Sequence, residues 1–267
     1  MTGGGALEGR RVVVVGASAG IGRAMAVRAV REGARVVLVA RREERLTEAV
    51  DEAGGGHACA ADLCDEDDRD RIAGTVRETL GEIDVLVCCV GIARLRMLAD
   101  TTDDDWHRLL ETNVVGVHGL LRACLPLLAP GAMVPILSSE TVHQPRTALM
   151  AYASSKAALE RLVEGWRTEH PGIRFTTVTV GATFPTDFGA DFEPGLLTRT
   201  LKDWSARGLA QEDFMAPDEV ADVLTGVIAA AVGRPGIGLD RLTVRSPSGV
   251  AGTFGGAVGR AVGSSST

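Results

Sequence analysis

The chain has 267 residues, 45% of them apolar and 24% charged, with a net charge of −7. That length builds one sizeable core, and the acidic balance offers no basic face to nucleic acid or an anionic membrane. No apolar stretch nears the ~18–20 residues that span a bilayer, and four consecutive valines near the N-terminus fall short of the ~7–15 of a signal-peptide core, which predicts a cytoplasmic protein.

Short β-branched runs alternate with long amphipathic stretches along the chain. Strands are expected at 11–15, 35–39, 57–61, 83–88, 132–137, 173–180 and 241–245. Helices are expected at 20–32, 43–53, 66–80, 103–128, 151–169 and 217–232. The strands read as continuous apolar runs, as they do when helices cover both faces of a parallel sheet. Strand–helix alternation implies right-handed βαβ units, hence a single doubly wound α/β domain of seven strands and six helices. Two regions break the pattern. Residues 184–216 hold Phe184, Phe188, Phe192, Trp204 and Phe214, five of the nine Phe and Trp residues in the chain. Residues 246–267, rich in Gly, Ser and Ala, are expected to form a weakly ordered tail.

The first strand runs into "GASAGIG", which places Gly16, Ser18, Gly20, Ile21 and Gly22 at a strand-to-helix turn. Glycines there let the backbone approach a diphosphate, and the helix N-terminus supplies free N–H groups. The Ser18 hydroxyl adds a donor. Further on, "YASSK" puts Tyr152 and Lys156 four residues apart, on one face of a helix. Tyr152 is the only tyrosine. A free phenol has a pKa near ~10. A neighbouring ammonium lowers it toward the range a general acid/base needs. Ser139 sits thirteen residues upstream at a strand end, and Ser138 is its competitor at fourteen.

Taken together these motifs resemble the short-chain dehydrogenase/reductase family, over about residues 10–245. The resemblance rests on the G-x-x-x-G-x-G loop, "ADL" at 61–63, "TNVVG" at 112–116, the Ser139–Tyr152 interval, "YASSK" and "MAPDEVADVL" at 215–224. It implies a Rossmann-type fold and hydride transfer between a nicotinamide cofactor and a small carbonyl or alcohol substrate. It also assigns roles. Tyr152 exchanges the proton, Lys156 tunes the phenol and binds the nicotinamide ribose, and Ser139 holds the substrate oxygen. Asn113 holds a water that links Lys156 to solvent. Asp62 and Leu63 meet the adenine, Gly91 keeps a backbone bend at the cofactor, and Gly181 with Thr183 or Thr186 meets the nicotinamide. Three departures stand out: Val15 replaces the family's threonine before the loop, "CCVG" at 88–91 replaces N-N-A-G, and "VG" at 180–181 replaces P-G.

Cofactor choice turns on the end of the second strand, "VVLVARRE". NAD enzymes of this fold place an acid there for the ribose 2′-hydroxyl. Here the position is Ala40, followed by Arg41 and Arg42. Guanidinium matches a 2′-phosphate with paired hydrogen bonds. NADP(H) is therefore favoured over NAD(H), the alternative being that both arginines pair with Glu43 and Glu44 on the surface. The aromatics of 184–216 suggest a lid over an apolar substrate, with Arg94, Arg96, His143 and Arg146 as candidates for the pocket rim. Cys59, Cys64, Cys88, Cys89 and Cys124 lack a metal-ligand spacing, so no metal is expected. Apolar residues around the helices at 103–128 and 151–169, including Leu120, Leu121, Leu125, Leu159, Leu162, Val163 and Trp166, suggest a homo-oligomer, a tetramer or a dimer. Two other readings are an inactive nucleotide-binding regulator and a sugar-nucleotide lyase or epimerase. The first has no need of all four catalytic residues, and the second needs a larger substrate domain.

Overall fold

Alternate valines of the first strand face opposite ways: Val13 and Val15 enter one buried cluster, Val12 and Val14 the other. A strand buried on both faces requires a layer of helices on each side, and that is the architecture. The computed structural model describes residues 5–211 and 213–247. Most of the expected tail, 248–267, lies outside the described residues.

Seven strands form one parallel sheet in the order β3-β2-β1-β4-β5-β6-β7. They are β1 Arg11–Val15, β2 Arg35–Ala40, β3 His57–Ala60, β4 Ile83–Cys88, β5 Leu128–Ser139, β6 Arg174–Val180 and β7 Arg241–Val244. The chain winds outward from β1 to β3, then crosses back to lay β4 against the other side of β1. This reversal opens a crevice at the carboxyl ends of β1 and β4, where ligands bind in such sheets.

Helices α1 Gly20–Arg31 and α2 Glu43–Ala53 pack on one face. Helix α3 Glu66–Thr79 packs on the other. It starts cleanly because the Asp65 side chain accepts from the Asp68 N–H at 3.0 Å, satisfying a donor the helix cannot. The expected helix at 103–128 is interrupted. α4 Asp103–Leu110, opened by a Thr102–Asp105 capping box, gives way to a π-helical turn at Glu111–Val115. α5 Gly116–Cys124 then follows, and β5 starts four residues earlier than expected. The turn widens where Asn113 bonds inward, described below; π-bulges recur at functional sites for this reason. α6 Met150–Glu169 covers β5 and β6, and α8 Pro217–Val232 packs on α1.

Within 184–216 the chain forms a helix that the expected element list lacks, α7 Pro194–Ala206. Its signals were present: Pro194 in the first turn, and Leu196, Leu197, Leu201 and Trp204 at helical spacings. The apolar residues cited for self-association need a correction. Leu120, Leu121, Leu159, Val163 and Trp166 are buried in the single chain, and Leu125 and Leu162 pack against the same core. The sheet face absorbs them because α5 and α6 both lie flat on it. Exposed apolar residues on this side are Leu110 and Val115. Among the described residues no helix is long and apolar enough to cross a membrane.

Candidate active and cofactor site

The glycine loop lies in the crevice between β1 and β4. Gly16 and Gly20 have φ of +90° and +53°, in the left-handed region that disfavours any side chain. At Gly22 the limit is space, since a Cβ would stand 2.2 Å from the Gly16 carbonyl oxygen. Ala19 gives α1 no side-chain cap, and the first turn of α1 holds no acid. The helix therefore keeps unpartnered N–H groups at its positive end, which suits an anion. Ile21, in that first turn, anchors the loop to the core beneath. These residues fit a dinucleotide diphosphate.

The two arginines divide. Arg42 Nη2 donates to Ser18 Oγ at 2.9 Å, so Arg42 joins the glycine loop. Arg41 is mostly exposed, with Nη1 3.7 Å from Asp62 Oδ2. Neither takes Glu43 or Glu44 as its partner. Arg45, one turn along the same face of α2, was missed by the sequence reading, although the i, i+3 spacing from Arg42 was available. Asp62 Oδ1 accepts from the Cys64 N–H at 3.0 Å and shapes the turn after β3. Leu63 is buried beside Gly116, where a Cβ would come within 3.1 Å of it.

The four candidate catalytic residues converge at the end of β5. Asn113 is fully buried: Oδ1 accepts from the Ile92 N–H at 2.8 Å, and Nδ2 donates to Ile92 O at 3.0 Å and to Ser155 Oγ at 2.9 Å. Ser155 in turn donates to Tyr152 O at 2.7 Å. Thus Asn113 braces both the loop after β4 and the first turns of α6. Ser155, absent from the sequence reading, lies inside "YASSK" itself. Lys156 Nζ donates to Val90 O at 3.1 Å and Leu137 O at 3.0 Å. A Cβ on Gly91 would lie 2.9 Å from Nζ. Gly91 therefore leaves room for the lysine; its φ is not left-handed, so the expected backbone bend is not what requires glycine. With "CCVG" in place of N-N-A-G the region still joins the sheet: the Cys89 backbone N–H donates to Val15 O at 2.8 Å, and Cys88 is buried in the core.

Ser139 Oγ accepts from the Thr141 N–H at 3.2 Å and from Thr141 Oγ1 at 2.9 Å, and its hydroxyl lies near enough to Tyr152 to favour the phenolate. Ser138 is committed elsewhere, donating to Glu160 Oε1 at 2.6 Å. Burial pushes the Tyr152 phenol up to about 12, opposed by the Ser139 hydroxyl. This reverses the direction expected from the Tyr–Lys spacing. Desolvation of the phenolate dominates, and the lysine ammonium points at backbone carbonyls. Burial also pulls the Lys156 ammonium down to about 8, opposed by Cys88, Cys89 and Glu160.

The burial of Tyr152 comes partly from the 184–216 segment. The Phe188 ring meets Tyr152 edge-on with centroids 5.1 Å apart, and Phe192 packs edge-on against Phe188 at 5.5 Å. Phe184 and Phe214 pair at 6.3 Å but are largely exposed. Thr183 donates to Gly181 O at 3.1 Å and bridges to Met215, so its hydroxyl serves its own loop. Thr186 is the threonine that reaches the glycine loop: a Cβ on Gly20 would stand 3.3 Å from its methyl. Gly181 has similar need of smallness, with Arg245 Cβ 3.0 Å and Glu140 Oε2 3.3 Å from a Cβ there. Of the proposed rim residues, Arg96 lies 3.1 Å from Asp105 with Arg94 3.8 Å away. His143 Nε2 lies 3.5 Å from Glu160, and Arg146 is buried against Glu140 and the Trp204 ring.

Comparison with known proteins agrees with this fold. The family model described as short chain dehydrogenase matches residues 10–195. A short chain dehydrogenase of Pseudocercospora fijiensis is 40% identical over 177 residues, 63% of this chain and 57% of that protein. Glycine betaine reductase ATRR of Emericella nidulans is 36% identical over 188 residues, 67% of this chain but 15% of that much longer protein. This chain thus spans less than two thirds of either relative. Among solved structures, a short-chain dehydrogenase/reductase of the glucose/ribitol dehydrogenase type from Brucella melitensis superposes with a TM-score of 0.78 at 25% identity, covering 90% of this chain and 96% of that one. With its seven-stranded parallel sheet, its glycine loop and the model match over most of its length, the chain belongs to the short-chain dehydrogenase/reductase family.

Proposed function

We propose that this protein is an NADP(H)-dependent oxidoreductase that interconverts a carbonyl and an alcohol on a small to medium, apolar substrate. One observation carries the reading: Tyr152, with the Ser139 hydroxyl beside it, stands one helical turn from the buried Lys156, beside the glycine loop. In this reading Gly16, Ser18, Gly20, Ile21 and Gly22 hold the cofactor diphosphate. Arg42, with Arg41 and Arg45 beside it, holds the 2′-phosphate; Asp62, Leu63, Gly91, Gly181, Thr183 and Thr186 border the remainder. A nicotinamide bound there supplies or accepts the hydride.

The side chains handle the proton. Ser139 donates a hydrogen bond to the substrate oxygen and fixes it beside the Tyr152 hydroxyl. During reduction Tyr152 gives its proton to that oxygen; during oxidation the phenolate takes one. Lys156 stabilises the phenolate, and Asn113 holds α6 against the loop after β4 so that Tyr152 and Lys156 stay aligned. In the cofactor-free protein Phe188 and Phe192 cover Tyr152, and their apolar surface supports an apolar substrate. The exposed Leu110 and Val115 support self-association through α4 and the π-helical turn.

The test is a screen of carbonyls and alcohols with NADPH and NADH, followed by absorbance, on wild type and Tyr152→Phe. The variant should retain cofactor affinity and lose turnover ~100-fold or more, since only the proton-transfer group is removed. Turnover equal to wild type would refute the role of Tyr152. Cofactor binding with no turnover of any substrate class would favour a regulator.

A further inference from the structure

The segment Thr186–Phe188 reaches from the glycine loop to Tyr152. Its first residue stands over Gly20, where an added Cβ would lie 3.3 Å from the Thr186 methyl, and its last covers the phenol. Between them, Asp187 Oδ2 lies 2.7 Å from Arg42 Nη1 and accepts from Arg45 Nη1 at 3.0 Å. Two guanidinium groups, one from the N-cap and one from the first turn of α2, thus converge on a single carboxylate oxygen, while Arg42 also holds Ser18. The Arg42 hydrogen bond, with help from Arg45, holds the Asp187 carboxyl below its ordinary range. The charge balance is incomplete: two cations and one carboxylate leave a net +1 (+2 − 1). A phosphate monoester, carrying about −1.5 to −2 at neutral pH with three acceptor oxygens, matches the pair better than one carboxylate does. A 2′-hydroxyl carries no charge and has no such advantage.

We propose that Asp187 is a specificity-determining residue whose carboxylate fills the 2′-phosphate subsite until NADP(H) replaces it on Arg42 and Arg45, an exchange that frees the segment bearing Phe188 from Tyr152. The proposal rests on the NADP(H) reading of the same site. It accounts for a carboxylate on a segment 142 residues from its arginine partner in sequence. It also makes Asp187 a filter: the cofactor with the extra phosphate unlatches the segment and the other does not.

The experiment is titration calorimetry of NADPH, NADH and adenosine 2′,5′-bisphosphate against wild type, Asp187→Asn and Arg42→Ala. Removing the competing carboxylate from two half-exposed ion pairs should tighten NADPH and the bisphosphate about three- to tenfold, with NADH changed less than twofold. Arg42→Ala should weaken NADPH and the bisphosphate selectively. If Asp187→Asn leaves NADPH unchanged while Arg42→Ala weakens it, the exchange is wrong and the NADP(H) reading survives. Equal tightening of NADPH and NADH by Asp187→Asn also overturns the exchange, because the segment then blocks the groove without regard to the phosphate. If Arg42→Ala spares NADPH, or weakens both cofactors alike, the cofactor reading fails and the exchange fails with it.

Discussion

Replacing Phe188 with alanine should lower the pKa of Tyr152, and one absorbance titration can read it, because the chain has a single tyrosine. Tyr152 is 5% exposed, and burial lifts its phenol from 10.0 to about 12. That rise corresponds to roughly 3 kcal/mol between the protonation states, and at pH 7 it leaves the phenol protonated. Ser139 pulls the other way, so the burial effect is larger than the net rise. Phe188 supplies one wall of the enclosure, its ring edge-on at 5.1 Å. Opening that wall should return about half the rise, so the midpoint falls by about one pH unit. The assay is ultraviolet phenolate absorbance of the cofactor-free protein against pH, with far-ultraviolet circular dichroism recorded alongside to separate ionisation from unfolding. Between 10 and 12 the folded wild type holds a proton that the unfolded chain has lost. Its stability therefore falls as pH rises through that window, and in Phe188→Ala the window closes from above. A wild-type midpoint at or below 10 with the fold intact would refute the reasoning, because Lys156 would then outweigh burial.

Lys156→Met should reduce both turnover and cofactor affinity; unchanged affinity would remove its ribose role. The same variant has a stability signature. Lys156 falls from 10.5 to about 8 on folding, so the unfolded state binds more protons between those values and wild-type stability rises with pH there, a rise that should flatten in Lys156→Met when urea midpoints are compared at pH 8 and 10. Asn113→Ala should cost ~2–4 kcal/mol in urea unfolding, because it strands the Ile92 N–H and C=O and the Ser155 hydroxyl; a loss below ~0.5 kcal/mol, within the range of a surface substitution, would deny the brace.

What could be read in advance follows the range of the interactions. Every strand of the sheet except β3, His57–Ala60, announces itself locally through β-branched residues, and "GASAGIG" carries its reason for glycine in its own backbone. Asn113 is different. Its helix looks continuous in sequence because the partners that widen it, Ile92 and Ser155, lie 21 and 42 residues away. The same holds for Arg41 and Arg42, adjacent in sequence and equal in charge. Only the fold shows that one meets Ser18 and the other faces solvent beside Asp62. The i, i+4 spacing correctly set Tyr152 and Lys156 on one helix, yet gave the wrong direction for the phenol. Spacing reports a neighbouring charge but not burial, and here desolvation exceeds the charge effect.

The same limit hid the relation between cofactor choice and the closed site. Arg42 was legible as an anion ligand, and Phe188 as one of a cluster of aromatics. Nothing local links them, because Asp187 stands next to Phe188 in the chain and next to Arg42 only in space. Once that contact exists, the side chain that competes with a 2′-phosphate and the ring that desolvates Tyr152 belong to adjacent residues. Displacing Asp187 should therefore shift the Tyr152 titration as well. Saturating adenosine 2′,5′-bisphosphate, which carries no nicotinamide, should lower the phenol midpoint of wild type toward that of Phe188→Ala. It should add little further change in Phe188→Ala itself, where the ring is already gone. If the ligand binds and the wild-type midpoint stays at about 12, phosphate recognition and the covering of Tyr152 are independent, and Asp187 serves the arginines alone.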